Sequence, residues 1–457
     1  MRLETGDARV SVVKDGVRNG HSLAASCDLS TSPTINPVLT IGMIVTTWPR
    51  LSQTFVLREF IGLEKLGLQL RIFSIKVPRG EPVHADVARV QAPVTYLAFR
   101  SSWKLILSAN FRLARDLRGR YFRTWFLGLR NIRYGNVLHI LRQLLRAGYV
   151  ADILRQEPVE RIHAHFATAP ASVAMFVSEL TGIPYTIAVH ANDIFVKARG
   201  RLMSAKIDRA EAVVTNNEYN RQYLLSRFGS ELDSKLPCVY NGLDLSQFDF
   251  RWPRAAEPGP PLILSVGRII EKKGFADLLS AVRILRERGR QFQVEIIGSG
   301  PLKEQMQNRI KELNLQDHVK LLGARDQDFV RAAYQRAAIF VLPCMVTPNG
   351  DRDGIPNVLY EAMASGTPVI STPVAAIPEL IDSESNGLLV EQQSPELLAD
   401  AIDRLLVNPD LRGRFARAAR ATIETRFTLD RTARELLKVF QKLECRRDQD
   451  AEDSRTQ

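Results

Sequence analysis

At 457 residues, 45% of them hydrophobic, the chain is too long for one core and fits two domains of about 200 residues each. No apolar run approaches the ~20 residues that span a bilayer, and Arg2, Glu4, Asp7, Arg9, Lys14 and Asp15 interrupt the N-terminus, which argues against both a membrane span and an export signal. The net charge is +12, and Cys27, Cys238, Cys344 and Cys445 lie far apart without disulfide or metal-ligand spacing, so a reducing cytoplasm fits best.

Residues 1–36 read as a polar, poorly ordered tail. From residue 39 the chain alternates strand, turn and helix, which predicts parallel sheets in an α/β protein. Leu39 to Val45 reads as the first strand, followed by a helix over Gln53 to Leu66 with Val56, Phe60 and Leu63 on one face. Leu68 to Ile75, Arg161 to Phe166, Tyr185 to His190, Ala212 to Asn216 and Cys238 to Asn241 are the further strand candidates of this half. His163 and His165 alternate onto one strand face. They are read as a strand pair, and no metal site is expected.

Between residues 100 and 155, twelve Lys and Arg residues face only Asp116 and Asp152, interleaved with Trp103, Phe111, Tyr121, Phe122, Trp125 and Phe126. Such a mixture suits an interfacial surface on anionic lipid. No nucleic-acid recognition module accompanies it, so nucleic acid is not an expected partner.

Residues 251–261, rich in proline, have the composition of an interdomain linker. The second series of strands is expected at Leu262 to Val266, Val294 to Gly298, Val319 to Gly323, Ile339 to Pro343, Pro368 to Ser371 and Leu388 to Val390. A final helix starts at Thr428 as N-cap and carries Ala433, Leu436, Leu437, Phe440 and Leu443 on one face. The charged stretch from Arg446 to Gln457 is expected to be disordered. The boundaries expected are therefore 37–250, 262–426 and a helix over 427–445.

Candidate chemistry lies at the strand ends of the second half. In Gly267-Arg268-Ile269-Ile270-Glu271-Lys272-Lys273-Gly274, Arg268 and Lys273 would complement a diphosphate. Gly298 and Gly300 follow the next strand and allow close backbone approach. The segment from Gly350 to Ile370 sets Asp353 and Glu361 eight residues apart around a helix start, with Gly354 and Pro356 closing the loop and Asn357 as a candidate cap.

In this order, these segments, with Asn241-Gly242-Leu243-Asp244, resemble the retaining, metal-independent GT-B glycosyltransferases of family 4. The resemblance covers residues 39–443. It implies two Rossmann-like doubly wound domains facing a cleft, with the C-terminal helix returning to the first. By position it implies that Arg268 and Lys273 bind the donor diphosphate, that Glu361 accepts hydrogen bonds from the ribose, and that the amides of Gly354, Ile355, Pro356, Asn357 and Val358 surround the diphosphate or sugar, Pro356 contributing no N–H. His190, in Ala188-Val189-His190-Ala191-Asn192-Asp193, matches a histidine that lines the transferred sugar.

Three departures stand out. Asp353 replaces the usual Glu. The glycine loop after the first strand is replaced by Pro49-Arg50-Leu51-Ser52-Gln53-Thr54-Phe55, a form similar to the bacterial exopolysaccharide, colanic-acid branch, where the amides of Ser52 to Thr54 could serve instead. Asp351-Arg352-Asp353 imitates a metal-binding Asp-x-Asp, but Arg268, Lys273 and Arg352 already supply positive charge, so no metal is expected. The activity implied is transfer of a sugar from a UDP- or GDP-linked donor, a substrate rather than a cofactor, to a lipid-linked saccharide by a cytoplasmic enzyme peripheral to the inner face of the membrane. The alternatives are a sugar-nucleotide epimerase or hydrolase, or a non-catalytic nucleotide-sugar-binding subunit.

Overall fold

The computed structural model describes residues 39–50, 53–78, 80, 83–130, 137–196, 201–250, 252 and 259–456. Ser52, the tail over 1–36 and most of the 251–261 linker lie outside the described residues.

The first sheet is built from β1 Thr40–Thr47, β2 Gln69–Lys76, β3 Val94–Tyr96, β4 Arg161–His165, β5 Tyr185–Val189 and β6 Ala212–Thr215. Its helices are α1 Thr54–Lys65, α2 Phe99–Asp116, α3 Arg118–Arg130, α4 Val137–Gln156, α5 Ala169–Thr181, α6 Ala191–Phe195, α7 Arg201–Arg209 and α8 Glu218–Phe228. The second sheet holds β7 Leu262–Val266, β8 Gln293–Ile297, β9 Val319–Gly323, β10 Ile339–Leu342, β11 Val369–Ser371 and β12 Leu388–Leu389. With it come α9 Phe275–Glu287, α10 Lys303–Glu312, α11 Gln327–Arg336, α12 Asn357–Ala364, α13 Pro395–Val407, α14 Pro409–Arg426 and α15 Leu429–Thr456.

The strand orders are β3-β2-β1-β4-β5-β6 and β12-β11-β10-β7-β8-β9, and the pairings are parallel. Counted from its own first strand, each sheet therefore reverses direction between its first and fourth strands. A doubly wound sheet binds ligands beyond the carboxyl ends of its strands at that reversal. Here the reversals lie between β1 and β4 and between β7 and β10, and the two Rossmann-like halves face a cleft.

Alternation along β1 sends Ile41, Met43 and Val45 to one core and Ile44 to another, so the strand is buried on both faces. The first of these cores is completed by Val56, Phe60 and Leu63 of α1 and by Leu429, Leu436 and Phe440 of α15. Burying Leu436 or Phe440 contributes ~1.5–3 kcal/mol each, which ties the C-terminal helix to the first sheet.

Several local expectations change. Cys238 to Asn241 makes only an isolated bridge from Cys238 to Thr215, because Tyr240 and Asn241 turn to contact the second half instead. The short edge strand β3 carries no clear alternating signal in the sequence. Thr428 does cap α15, its Oγ1 accepting from the Arg431 N–H at 3.4 Å. The helix then runs to Thr456, past Arg446 where disorder was expected. Arg446, Arg447, Gln449, Ala451 and Glu452 are good helix formers, and Arg447 pairs with Glu444 one turn back.

Candidate active site

The loop after β7 carries Arg268, Lys272 and Lys273 and closes on Gly274. That glycine has φ +68°, and a Cβ there would lie 1.7 Å from the Pro343 carbonyl oxygen at the end of β10. The loop is thus pressed across the reversal of the second sheet. Both lysines meet the acidic loop as a result. Lys273 Nζ lies 2.6 Å from Asp353 Oδ2, and Lys272 Nζ lies 3.2 Å from Asp353 Oδ1 and 3.1 Å from Asp351 Oδ1.

The lysine side chains are 12% exposed and that of Asp353 18%. Burial opposes the charge on Asp353, but Lys273 and Lys272 outweigh it and hold the carboxyl below its ordinary value. Burial likewise opposes the charge on Lys273, and Asp353 outweighs it, raising the ammonium above its ordinary value. Arg268 is exposed, and no ion pair involves it among the described residues.

Gly298 and Gly300 are accounted for by the loop after β7. With φ +150°, Gly298 would place a Cβ 1.9 Å from the Gly267 carbonyl oxygen, and a Cβ on Gly300 would lie 2.2 Å from that of Ile269. The Ile269 N–H donates to the Ser299 carbonyl at 3.0 Å, so the two turns form one unit that fixes the lysine loop.

Asn357 is not a cap. Pro356 occupies the N-cap position of α12 with extended backbone, and Asn357 is the first helical residue. Its side chain reaches the first half, Nδ2 donating to Thr54 Oγ1 at 3.3 Å. Gly354 is buried where a Cβ would lie 2.7 Å from Asn217 Nδ2, so the loop packs directly on the first half. Arg352 crosses in the same direction, with its guanidinium 4.5 Å above the Phe195 ring and Nη1 donating to the Tyr219 hydroxyl at 2.9 Å. It therefore bridges the halves rather than neutralising the neighbouring acids.

Glu361, one turn into α12, is buried. Its Oε1 accepts from Arg58 Nη2 of α1 at 2.7 Å, and its Oε2 from the Tyr334 hydroxyl at 3.3 Å. A second cross-cleft acid is Glu379, which accepts from the Glu218 and Tyr219 amides at the start of α8 and from the Tyr240 hydroxyl.

On the other wall, His190 ends β5 and precedes α6. Its ring lies between Phe55 at 4.5 Å and Phe166 at 4.7 Å and stacks on His165 at 6.1 Å. Burial, with His165 beside it, pushes its pKa down to about 3, so the imidazole is neutral at ordinary pH. The His190 N–H and the Ala167 N–H both donate to Asp193, at 2.8 and 2.7 Å, which ties the loops after β4 and β5 together. Asn192, beside it, reaches Asp351 at 3.4 Å.

The structure brings Lys273, Asp353, Gly354 and Asn357 to one end of the cleft and His190 to the facing wall. Sequence reasoning missed Lys272, Asp193, Glu379 and Arg58. Lys272 was legible as the neighbour of Lys273, whereas Arg58 lies in an ordinary amphipathic helix, 303 residues from its partner.

Two family models match: Glycosyltransferase Family 4 over residues 52–247 and Glycosyl transferases group 1 over residues 246–422. The glycosyltransferase WcaL of Escherichia coli (strain K12), assigned by name to colanic acid biosynthesis, is 27% identical over 430 residues, 88% of this chain and 100% of that protein. The amylovoran biosynthesis glycosyltransferase AmsK of Erwinia amylovora is 37% identical over 209 residues, 46% of this chain and 51% of that protein. Among solved structures, sucrose-phosphate synthase of Thermosynechococcus elongatus superposes with a TM-score of 0.68 at 18% identity, covering 89% of this chain and 99% of that one, which shows the shared fold. The chain thus belongs to glycosyltransferase family 4 with the GT-B fold and is a glycosyltransferase similar to enzymes named for colanic-acid and amylovoran biosynthesis.

Proposed function

We propose that this enzyme transfers a sugar, with retention of anomeric configuration, from a UDP- or GDP-sugar to a lipid-linked saccharide at the cytoplasmic face of a bacterial membrane. The observation that carries the reading is the set of Lys272 and Lys273 paired with Asp351 and Asp353 at the reversal of the second sheet. In this reading Arg268 and Lys273 bind the donor diphosphate and stabilise the charge that grows on the leaving nucleotide as the glycosidic bond breaks. The exposed Arg268 is available to a ligand, and Lys273 would share its charge between Asp353 and phosphate.

The segment Gly354 to Val358, at the start of α12, faces the diphosphate, and Glu361 would take the ribose hydroxyls on release of one oxygen by Arg58 or Tyr334. Arg58 orients that carboxylate from the first half, so ribose recognition involves both halves. His190, neutral and wedged between Phe55 and Phe166, offers a ring nitrogen toward the transferred sugar. Asp353, one methylene shorter than Glu, contacts the sugar with less reach. Gly298 and Gly300 act by fixing the lysine loop beneath the donor.

Membrane contact is assigned to α2 and α3. Trp103, Leu107 and Phe111 recur every fourth residue of α2, with Trp103 51% and Phe111 73% exposed; on α3, Phe122 is 64% and Phe126 65% exposed. Arg100, Lys104, Arg118, Arg120 and Arg123 stand exposed around them. Large aromatics rimmed by cations match an anionic lipid surface, where each basic group adds ~1 kcal/mol. No helix among the described residues is long and apolar enough to cross a membrane.

The test is a thermal-shift screen with nucleotide sugars, followed by transfer to lipid-extracted acceptor with the product anomer read by NMR. A donor at 100-fold above its dissociation constant should stabilise the protein by about 2.7 kcal/mol. No shift with any UDP- or GDP-sugar would reject the donor assignment, and an inverted product would reject retention.

A further inference from the structure

Behind the His190 wall, three ligand-type side chains converge from two elements. His163 and His165 project from β4 toward α1, and Glu59 of α1 meets them: Glu59 Oε1 is 3.1 Å from His165 Nε2 and 3.6 Å from His163 Nε2. Both imidazoles are fully buried. Glu59 Oε1, His163 Nε2 and His165 Nε2 are each buried without a hydrogen-bond partner among the described residues. Buried polar atoms are rarely left so, because the lost hydration is not replaced.

Thr186 Oγ1 lies 2.7 Å from His163 Nδ1 and anchors the ring from the side away from Glu59. Glu59 Oε1 and the two Nε2 atoms thus face one another in a buried space, an arrangement that a shared cation would satisfy.

The dimensions suit a metal. Bonds of about 2.0–2.2 Å to nitrogen and oxygen in a tetrahedral centre set ligand atoms about 3.3 Å apart. The two distances to Glu59, 3.1 and 3.6 Å, bracket that separation, and the ligand atoms of all three residues lie within 4.8 Å of one another. Two imidazoles and one carboxylate favour a first-row transition cation over Mg²⁺ or Ca²⁺.

We propose that Glu59, His163 and His165 form a binding site for a divalent first-row transition cation, which pins α1 to β4. The cation acts as a positioning element. It would fix the helix that presents Thr54 to Asn357 and Arg58 to Glu361, one turn from the cross-cleft contacts. Thr186, 2.7 Å from His163 Nδ1, is an outer support that orients the ring, as such partners do in metal sites. The proposal does not depend on which donor the enzyme uses.

The test uses the untagged full chain, dialysed against a chelator and then against Zn²⁺, with bound metal measured by mass spectrometry and affinity by competition with a chromophoric chelator. The expected result is one Zn²⁺ per chain, a higher melting temperature with Zn²⁺ than with chelator, and the visible absorption of tetrahedral Co²⁺ on substitution. Glu59→Gln and His165→Asn should each weaken binding at least 100-fold. Thr186→Val, which removes only the support, should weaken it about 10-fold and remains informative if the ligand variants fail to fold. Wild-type protein with no bound metal and a melting temperature indifferent to Zn²⁺ and chelator overturns the site, as does undiminished binding in folded Glu59→Gln.

Discussion

Arg58 Nη2 and Glu361 Oε1, 2.7 Å apart, join α1 of the first half to α12 of the second. Both side chains are buried, 11% and 6% exposed, so water cannot take the place of either partner. The second oxygen of Glu361 is occupied by Tyr334. The carboxylate is therefore oriented from both sides of the cleft.

Truncating one partner should be costly. Arg58→Ala would leave Glu361 buried and unpaired, a change expected to destabilise by about 3–5 kcal/mol. Urea unfolding checks the magnitude. In a double-mutant cycle with Glu361→Ala, the two single losses should exceed the double loss, since removing both partners leaves no orphaned charge.

Lys273→Ala should lower the transfer rate by about 10²–10³-fold through lost stabilisation of the leaving diphosphate. Asp353 keeps Lys272 as a partner, so the fold should survive. Steady-state kinetics with circular dichroism as a control separates a chemical loss from unfolding.

The same cluster sets a pH window for stability. The carboxyl of Asp353 lies below its ordinary 3.8, so its contribution is complete above that value and fades as pH falls through the lower folded value. Lys273 lies above its ordinary 10.5, so its contribution is complete below that value and fades as pH rises through the higher folded one. Thermal melts of Asp353→Asn across pH should show a shallower acid limb than the wild type. Equal acid limbs would assign the acid sensitivity to other carboxylates.

Gly298→Ala should destabilise by at least about 1–3 kcal/mol, because its φ of +150° disfavours a side chain and the Gly267 carbonyl occupies the Cβ position. Since the displaced loop carries Lys273, donor affinity should fall with stability. Calorimetry and nucleotide titration on the same sample would show whether the two move together.

Replacing Phe111, Phe122 and Phe126 by Ser should reduce sedimentation with anionic vesicles by about 10-fold or more, while stability changes by less than about 0.5 kcal/mol per exposed site. Binding that persists in high salt with the aromatics removed would count against insertion. Binding that is indifferent to Arg120 and Arg123 would count against the electrostatic component.

The alternation of apolar strands and amphipathic helices was enough to read both parallel sheets, because period-2 and period-3.6 patterns are local properties of the chain. The lysine loop and the acidic loop were likewise readable, since each is a short continuous segment at a strand end. Patterning could not reveal β3, whose 3 residues are too few to set a period. Nor could it distinguish a charged tail from a continuing helix, as the same residues serve both.

What only the tertiary structure decided is which of these segments meet. Lys273 reaches Asp353 because Gly274 allows the loop against Pro343; Asn357 spends its side chain on Thr54 rather than on capping; and Glu361 is claimed by an arginine from the other half. His163 and His165 were a legible pair, but the carboxylate they face comes from a helix about a hundred residues earlier. Local sequence specifies elements through periodicity and turn chemistry, whereas the pairing of buried charges depends on chain crossings that bring distant residues within a few ångströms, and no local pattern encodes those.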